Sequence, residues 1–148
     1  MTTTAPKLTN GLLFLSIGVI HNLCGIAVGL GAPGITPAAL GGRRLLVEMF
    51  SQGLVGAVEP DPWRMILFWF LFFGLLAMML GWVLHRVERA GHAVPRVVAW
   101  HMGALALAGV LLIPASGFWL VLPVAWRIWR QAPRERAPAV ARLEEARG

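Results

Sequence analysis

A run of twenty residues, 65–84 (MILFWFLFFGLLAMMLGWVL), contains no charged residue, no proline and no histidine. As an α-helix this run would reach about 30 Å, which is the thickness of the hydrocarbon core of a bilayer. Charged residues stand at both of its ends, as they do where a helix leaves the membrane: Asp61 and Arg64 precede it and Arg86 follows it. The run therefore predicts a membrane-spanning helix.

The composition places the whole chain in the same class. Of its 148 residues, 57 % are hydrophobic and 14 % are charged, and the mean hydropathy is +0.70. The net charge of +6 comes mainly from arginines that adjoin apolar segments. We therefore expect the lipid bilayer, and anionic lipids at its cytoplasmic face, as partners, and no nucleic acid. Cys24 is the only cysteine, which excludes thiol–disulfide chemistry within one chain.

A second apolar run, residues 11–30, also has the length of a membrane crossing. A cleaved signal peptide is the alternative for this segment, because Lys7 precedes the apolar run and small residues follow it. The run is long for a signal peptide, however, and the polar pair His21-Asn22 interrupts its centre. We therefore expect a helix that stays in the protein and crosses the membrane.

Residues 96–113 are the third predicted span, and their small side chains occupy more than one face, which is typical of a central helix. Residues 117–129 are short for a crossing and contain Pro123. They form either a short fourth span or a kinked continuation of the third helix. Four spans put the second-loop and tail arginines on one side, as the positive-inside rule requires. This favours four crossings of the bacterial inner membrane with both termini in the cytoplasm.

We thus predict an all-α fold, an integral membrane four-helix bundle. The expected spans are residues 11–30, 64–84, 96–113 and 117–129, within a single membrane domain, 11–130. Residues 1–10 would form a cytoplasmic leader, and residues 131–148 a mobile basic tail. Between the first two spans, residues 38–58 carry polar side chains on one arc and apolar ones on the other, which predicts an amphipathic interfacial helix. Asp61 would then stand at the N-terminus of the second span, where the helix dipole favours an acid.

Glycines at helical spacing predict how the spans pack. Gly18, Gly25 and Gly29 lie on one stripe of the first span, and Gly25-x-x-x-Gly29 is a motif of close helix approach. This stripe fits packing within one chain, and it also fits a homo-oligomer. Gly103 offers a comparable small position in the third span. Because Asn22 lies on the glycine stripe and His21 on its edge, we expect both side chains to face the bundle.

His21 is the main candidate for a functional side chain. It lies about 15 Å into the first span, near the bilayer midplane, where an ionisable group is costly. It could carry a proton, ligate a metal or haem, or bond a ligand, and the alternative is a histidine that only fixes helix register. Glu48 could reach His21 as an acid–base partner, or simply form the wet face of the interfacial helix. Further ligand-binding candidates are Asn22, Gln52, Trp69 and His101.

Several sequence patterns that are typical of transporters and enzymes are absent, and their absence argues against some classes of function. None of the predicted spans contains Asp or Glu, unlike small antiporters that couple protons through a carboxylate, and no HExxH, GxSxG or P-loop pattern occurs. The leading hypothesis is a non-enzymatic bundle that binds a lipid-like small molecule or a partner membrane protein, with no cofactor and no metal. The alternatives are an isomerase-like enzyme that uses His21 and Glu48, a haem or quinone electron carrier, and a small transporter.

Three motifs carry a resemblance to a known family. They are FWFLFFGLL at residues 68–76, PASGFWLVLP at residues 114–123, and His21-x-x-x-Gly25. With these motifs the chain resembles a family of small bacterial four-helix membrane proteins whose function is unknown, over residues 11–130. The resemblance implies a four-helix membrane fold. It implies no activity, and no residue role is carried over from it.

Overall fold

The computed structural model describes residues 8–53, 61–114 and 117–133, which form five α-helices and no strand. The helices are α1 (Asn10–Gly29), α2 (Leu45–Gln52), α3 (Pro62–Arg89), α4 (Arg96–Leu112) and α5 (Val121–Gln131). A short 3-10 turn at Ala38–Leu40 precedes α2, and another at Gly117–Leu120 leads into α5. The fold is thus all-helical. Most of the predicted leader and tail lies outside the described residues.

Two of the helices, α1 with 20 residues and α3 with 28, are long and apolar enough to cross a membrane. Helix α4 is apolar as well but has 17 residues, and α5 has 11. At 1.5 Å per residue, α5 reaches only about 17 Å. The third and fourth predicted spans therefore correspond to helices shorter than a full crossing.

The sequence explains where α1 and α3 begin. The Thr9 side chain accepts a hydrogen bond from the backbone N–H of Leu12 and caps α1. The Asp61 carboxylate accepts from the backbone N–H of Trp63 at 2.9 Å and caps α3. Pro62 follows in the first turn, where its missing N–H costs nothing. The prediction that Asp61 stands at the N-terminus of this helix is confirmed.

Helices α1 and α3 form an antiparallel pair whose backbones touch. A Cβ atom on Gly11 would lie 2.6 Å from the carbonyl oxygen of Gly81, and a Cβ on Gly81 would lie 2.7 Å from the Cα of Leu15. Both distances are too short for any side chain, so this contact requires glycine. Further along the same interface, three more glycines of α1 face side chains or backbone of α3: Gly18, Gly25 and Gly29.

Helices α4 and α5 form a second antiparallel pair. The Arg96 guanidinium at the start of α4 lies 5.5 Å from the ring centre of Trp129 near the end of α5. Gly103 in α4 faces Ala125, whose Cβ would lie 3.9 Å from a Cβ on the glycine. The chain leaves the helical conformation at Ile113 and turns back. Helix α5 is therefore not a kinked continuation of α4.

The most connected helix is α1. It packs against α2, α3 and α5, whereas α4 packs mainly against α5 and the 3-10 turn before it. The prediction that the third span is the central helix is therefore wrong. Small side chains on several faces permit close packing without requiring it, and two of the alanines in α4, Ala104 and Ala108, are exposed.

The segment between the first two predicted spans is less regular than the amphipathic pattern over residues 38–58 predicts. Gly41 and Gly42 adopt positive φ angles of 55° and 78°, which ends the 3-10 turn before α2 begins. In α2, Leu45 is buried, and Leu46 and Met49 pack on the same small cluster. Phe50, expected on the apolar arc, is 90 % exposed. Residues 54–58 lie outside the described residues.

Hydrogen bonds gather three chain segments at one end of the molecule, called here the Glu88 end (residues 8–11, 85–96 and 127–132). Thr9 Oγ1 lies 2.7 Å from His85 Nδ1, and the Arg127 guanidinium donates to the carbonyl of Leu8 at 2.6 Å. The opposite end is called the Glu48 end (residues 29–53 and 61–67). Of the arginines in the described residues, five lie at the Glu88 end and three at the Glu48 end.

Candidate functional site

A cavity of about 450 Å³ lies between α1, α3 and the start of α5, and is called here the His21 cavity. Its walls are almost entirely apolar, with phenylalanines from α1, from α3 and from the 3-10 turn before α5: Phe14, Phe70, Phe73 and Phe118. Among the described residues that line it, His21 is the only one with a polar side chain. This volume and this lining are typical of a site for a small organic molecule.

The His21 ring is held in one orientation by α3. It stacks on the ring of Phe70, with 3.7 Å between centroids and 13° between planes. Its Nε2 atom lies 3.0 Å from the carbonyl oxygen of Phe70. Because a carbonyl can only accept, Nε2 carries the proton of this hydrogen bond, and Nδ1 of a neutral imidazole is left as an acceptor.

The Nδ1 edge of the His21 ring is opposite the edge that is bonded to α3. The Cδ2 atom, which shares an edge with Nε2, would lie 2.9 Å from a Cβ on Gly74. Nδ1 is on the other edge of the ring, and no hydrogen bond to it occurs within residues 8–53, 61–114 and 117–133. His21 therefore offers a hydrogen-bond acceptor at the wall of an apolar cavity.

A second cavity of about 370 Å³ adjoins the first and forms a groove between α3 and α4. Phe73 and Phe118 line both cavities and meet edge to face, with 5.5 Å between ring centroids. His101 lines this groove, and its Nδ1 lies 2.7 Å from the carbonyl oxygen of Val97. The two histidines thus line adjoining cavities, and each is bonded to a backbone carbonyl.

Asn22 lies in the α1–α3 interface. With the side-chain amide turned by 180°, its nitrogen donates to the carbonyl of Leu71 at 2.9 Å. Gly74 leaves the room for it, since a Cβ there would collide with the amide carbon at 2.6 Å. Asn22 therefore joins two helices, whereas His21 borders the cavity.

Glu48 and Gln52 belong to a cluster of charges at the Glu48 end. The Glu48 and Asp61 carboxylates both pair with Arg43, and both lie within 3.6 Å of Arg64 Nε. Arg64 is 7 % exposed and also donates to Gln52 Oε1 at 2.7 Å. Hydrogen bonds from Arg43 hold the pKa values of Glu48 and Asp61 below their ordinary range. We call these five residues the charge cluster.

The structure does not bring Glu48 to His21. Glu48 is held beside Arg64, and His21 beside Phe70, which lies six residues or about 9 Å further along α3. The hydrogen-bonding groups of Gln52 are likewise used at the Glu48 end. The acid–base pair that the enzyme hypothesis needs is therefore not formed.

Trp69, the remaining candidate, lies on the outer surface of α3. Its side chain is 57 % exposed and meets Phe68 and Phe72 with ring centroids 5.3 Å and 5.8 Å apart. It does not line the His21 cavity. The aromatic pair that does line the cavity is one residue and four residues further along the same run.

Sequence reasoning missed several residues that shape the site. Phe70, Phe73 and Phe118 sit inside the two motifs quoted above, but a run of phenylalanines in a span does not tell which of them face a cavity. A second stripe of small residues, in α3, could have been recognised from its spacing. Gly74, Ala77 and Gly81 follow one another at steps of three and four and are buried.

The model of a family of unknown function (DUF6463) matches residues 5–135, which is most of the chain. The chain belongs to this family. The match confirms the expected resemblance to a family without a known activity. No curated protein and no solved structure matches the chain. The function of the protein must therefore be inferred from the site itself.

Proposed function

We propose that this protein is an integral membrane protein that binds a lipid-like small molecule in the His21 cavity. The observation that carries the proposal is a cavity of about 450 Å³ with one polar side chain, His21, in an otherwise apolar wall. A concave site of this kind favours a small molecule over a partner membrane protein as the occupant.

The exposed surface supports a position in the membrane. In the most apolar stretch of both α1 and α3, only 22 % of the residues are buried. The outward-facing residues of α3 include Leu75 and Met79, each more than half exposed. Soluble proteins rarely expose a continuous apolar surface of this extent, whereas lipid tails solvate it.

The distribution of charge supports four crossings with both termini in the cytoplasm. The Glu88 end holds five arginines and gathers the segments that begin α1 and end α5. By the positive-inside rule this end faces the cytoplasm of a bacterial inner membrane. The short helices α4 and α5 then cross with the help of local bilayer thinning, and the arginines of α5 extend toward the headgroups.

The chemistry of His21 defines the ligand class. Its Nδ1 accepts a hydrogen bond, so the matching ligand carries an O–H or N–H group on an apolar body. A long-chain or isoprenoid alcohol meets both conditions. An ether of the same size does not, because it offers no donor.

The binding test uses full-length protein in detergent and two matched probes, a C15 isoprenoid alcohol and its methyl ether. We expect the alcohol to bind about two- to tenfold more tightly than the ether, which is the effect of one neutral hydrogen bond. In His21→Phe, which keeps the ring stacked on Phe70, the two probes should bind equally. The control variant His101→Phe should keep the preference for the alcohol. Equal binding of both probes to the unmodified protein, or an undiminished preference in His21→Phe, would refute the proposal.

The layout has its own test, which is independent of ligand binding. A protease-cleavable tag at the C-terminus should be protected in intact cells and cleaved in inside-out membrane vesicles. Cleavage in intact cells would place the Glu88 end in the periplasm and contradict the proposed topology. Extraction of the protein by alkaline carbonate would contradict membrane insertion itself.

A further inference from the structure

A polar cavity of about 250 Å³ lies at the Glu88 end, away from the His21 cavity. The end of α3, the loop that follows it, the start of α1 and the end of α5 enclose it. Three oxygen-bearing side chains line it: Asn10, Glu88 and Gln131. These side chains come from three helices and are joined by hydrogen bonds.

Glu88 is the centre of this group. Its Oε1 accepts from the side-chain nitrogen of Asn10 at 2.5 Å, and its Oε2 accepts from the backbone N–H of Gly11 at 2.8 Å. It therefore places a carboxylate at the N-terminus of α1. The ion pairs within residues 8–53, 61–114 and 117–133 all lie in the charge cluster at the opposite end. In this part of the chain, the Glu88 charge has no cationic side chain as a partner.

Asn10 supplies a second, independent sign of a ligand. The residue is 2 % exposed, and its side-chain nitrogen donates to both Glu88 and Gln131, the latter at 2.6 Å. Exchanging the oxygen and nitrogen of the Asn10 amide would not improve the hydrogen bonding, because the oxygen would then face two acceptors. In the described residues, the Asn10 Oδ1 atom is buried and has no partner. A buried acceptor of this kind is costly unless a donor reaches it.

A donor for this cavity must be positively charged and carry several hydrogens. A primary ammonium group has three N–H bonds, which match the three kinds of acceptor offered by Glu88, Asn10 and Gln131. A quaternary ammonium has none, and a neutral hydroxyl brings no positive charge to Glu88. The acceptors therefore select a primary ammonium over both.

A second feature next to the cavity suits a negative group. Arg127 and Arg130 of α5 line a neighbouring cavity that shares Gln131 with the first. Trp126, which belongs to the same lining, stacks on Trp129 with 5.0 Å between centroids. Arginine with tryptophan at a membrane surface is typical of a site for phosphate headgroups.

We propose that the Glu88 end binds a phosphodiester-linked primary ammonium, the headgroup chemistry of an aminophospholipid. Glu88, Asn10 and Gln131 hold the ammonium, and Arg127 and Arg130 hold the phosphate. The lipid form of this site rests on the membrane layout proposed above. It does not involve the His21 cavity, so binding at either site can fail without the other.

The test compares phosphatidylethanolamine with phosphatidylcholine of the same acyl chains, added to the full-length protein in detergent and measured by native mass spectrometry. The two lipids differ only at the nitrogen, where three methyl groups of phosphatidylcholine replace the three hydrogens of phosphatidylethanolamine. We expect phosphatidylethanolamine to bind about tenfold more tightly, which is the effect of charge-assisted hydrogen bonds. Equal binding of the two lipids, and of glycerophosphoethanolamine and glycerophosphocholine, would overturn the proposal.

Two variants locate the preference. Glu88→Gln keeps an acceptor for the α1 backbone but removes the charge, and it should lower the preference at least about fivefold. Gln131→Glu keeps the acceptor for Asn10 and adds a charge, so it should raise the preference for phosphatidylethanolamine. If Glu88→Gln does not fold, Gln131→Glu decides the matter, and an unchanged preference in that variant contradicts the site.

The same experiment separates two sources of the ligand. Glycerophosphoethanolamine carries the headgroup without acyl chains. If it displaces bound phosphatidylethanolamine at millimolar concentration, the headgroup alone is recognised and a soluble source is supported. If it fails to displace a lipid that still shows the nitrogen preference, the lipid source is supported. Binding of the C15 alcohol in the same sample reports on the His21 cavity independently.

Discussion

Helix α3 has two different faces. Toward α1 its backbone touches the neighbouring helix, with Gly74 and Gly81 at the points of closest approach. Toward α4 and α5 it leaves space: the cavity of about 370 Å³ lies between α3 and α4, and the cavity of about 450 Å³ lies between α3, α1 and the start of α5. One face is built from glycines that fit a partner helix, and the other from phenylalanines that border empty volume.

The difference assigns separate tasks to the two faces. In the membrane that we propose for this protein, the hydrophobic effect between helices contributes little, and close packing of small residues holds a pair together. The α1–α3 pair therefore supplies the stability of the fold. The face toward α4 lacks such contacts, and a site that admits a ligand must come from the part of a structure that opens at low cost.

The largest effect is expected from Gly81→Ala on the close face. The added methyl group meets the backbone of Leu15, which cannot move aside as a side chain can. We expect a loss of roughly 1–3 kcal/mol in the free energy of unfolding, or failure to fold. Thermal unfolding of the purified protein in detergent measures it.

The matched control is Gly103→Ala in α4. Its Cβ would lie 3.9 Å from Ala125, an ordinary contact, and the backbone is helical. Alanine favours the helix by up to about 1 kcal/mol over glycine, so this variant should be neutral or more stable. Equal losses in both variants would show that the two faces of α3 do not differ as described.

An intermediate effect is expected from enlarging side chains around the open face. Leu80 lines the groove between α3 and α4, and Leu80→Trp has room to fill it. Ala99, at 5 % exposure, lies in the packed core and does not line the groove, so Ala99→Leu has no free space to enter. We expect Ala99→Leu to cost roughly 1–3 kcal/mol and Leu80→Trp less than about 1 kcal/mol. The reverse order would mean that the groove is already filled.

The glycine face could be predicted from the sequence, whereas the cavity face could not. The glycine stripe of α1 has a spacing that any helical wheel displays, so its role in packing can be proposed before the fold is known. A cavity is a lack of contacts between Phe73, Phe118 and their neighbours, and residue spacing does not predict where contacts are missing. The sequence also could not show which helix is central, because alanines such as those at positions 104 and 108 are compatible with packing against a helix and with exposure.

The charge cluster could not be predicted from the sequence either, for a different reason. Its members Arg43, Glu48 and Asp61 are spread over 19 positions and come together only in the folded chain. The amphipathic pattern placed Glu48 on a wet face, which is compatible with solvent and with an arginine. Long-range pairing decided between the two, and no periodicity reports it.

The smallest expected effect is a pH dependence at the end of the close face, where the charge cluster ties α2 to α3. Hydrogen bonds from Arg43 lower the pKa of Glu48 and of Asp61 in the folded protein. A carboxyl group with a lowered folded-state pKa stabilises the fold above its unfolded value, which is near 4, and the stabilisation is lost as pH falls through the folded value. The melting temperature should therefore vary little between pH 7 and about 5 and fall below about 4.5.

Arg43→Gln removes the main cause of both shifts, so this variant should melt lower than the unmodified protein at pH 7, and the gap between the two should narrow as pH falls below about 4. Arg44→Gln is the control, since Arg44 is exposed and makes no ion pair with a described residue. It should follow the unmodified protein at every pH. A gap between Arg43→Gln and the unmodified protein that is as wide at pH 3 as at pH 7 would mean that glycine packing alone, without these carboxylates, holds this end of the α1–α3 pair.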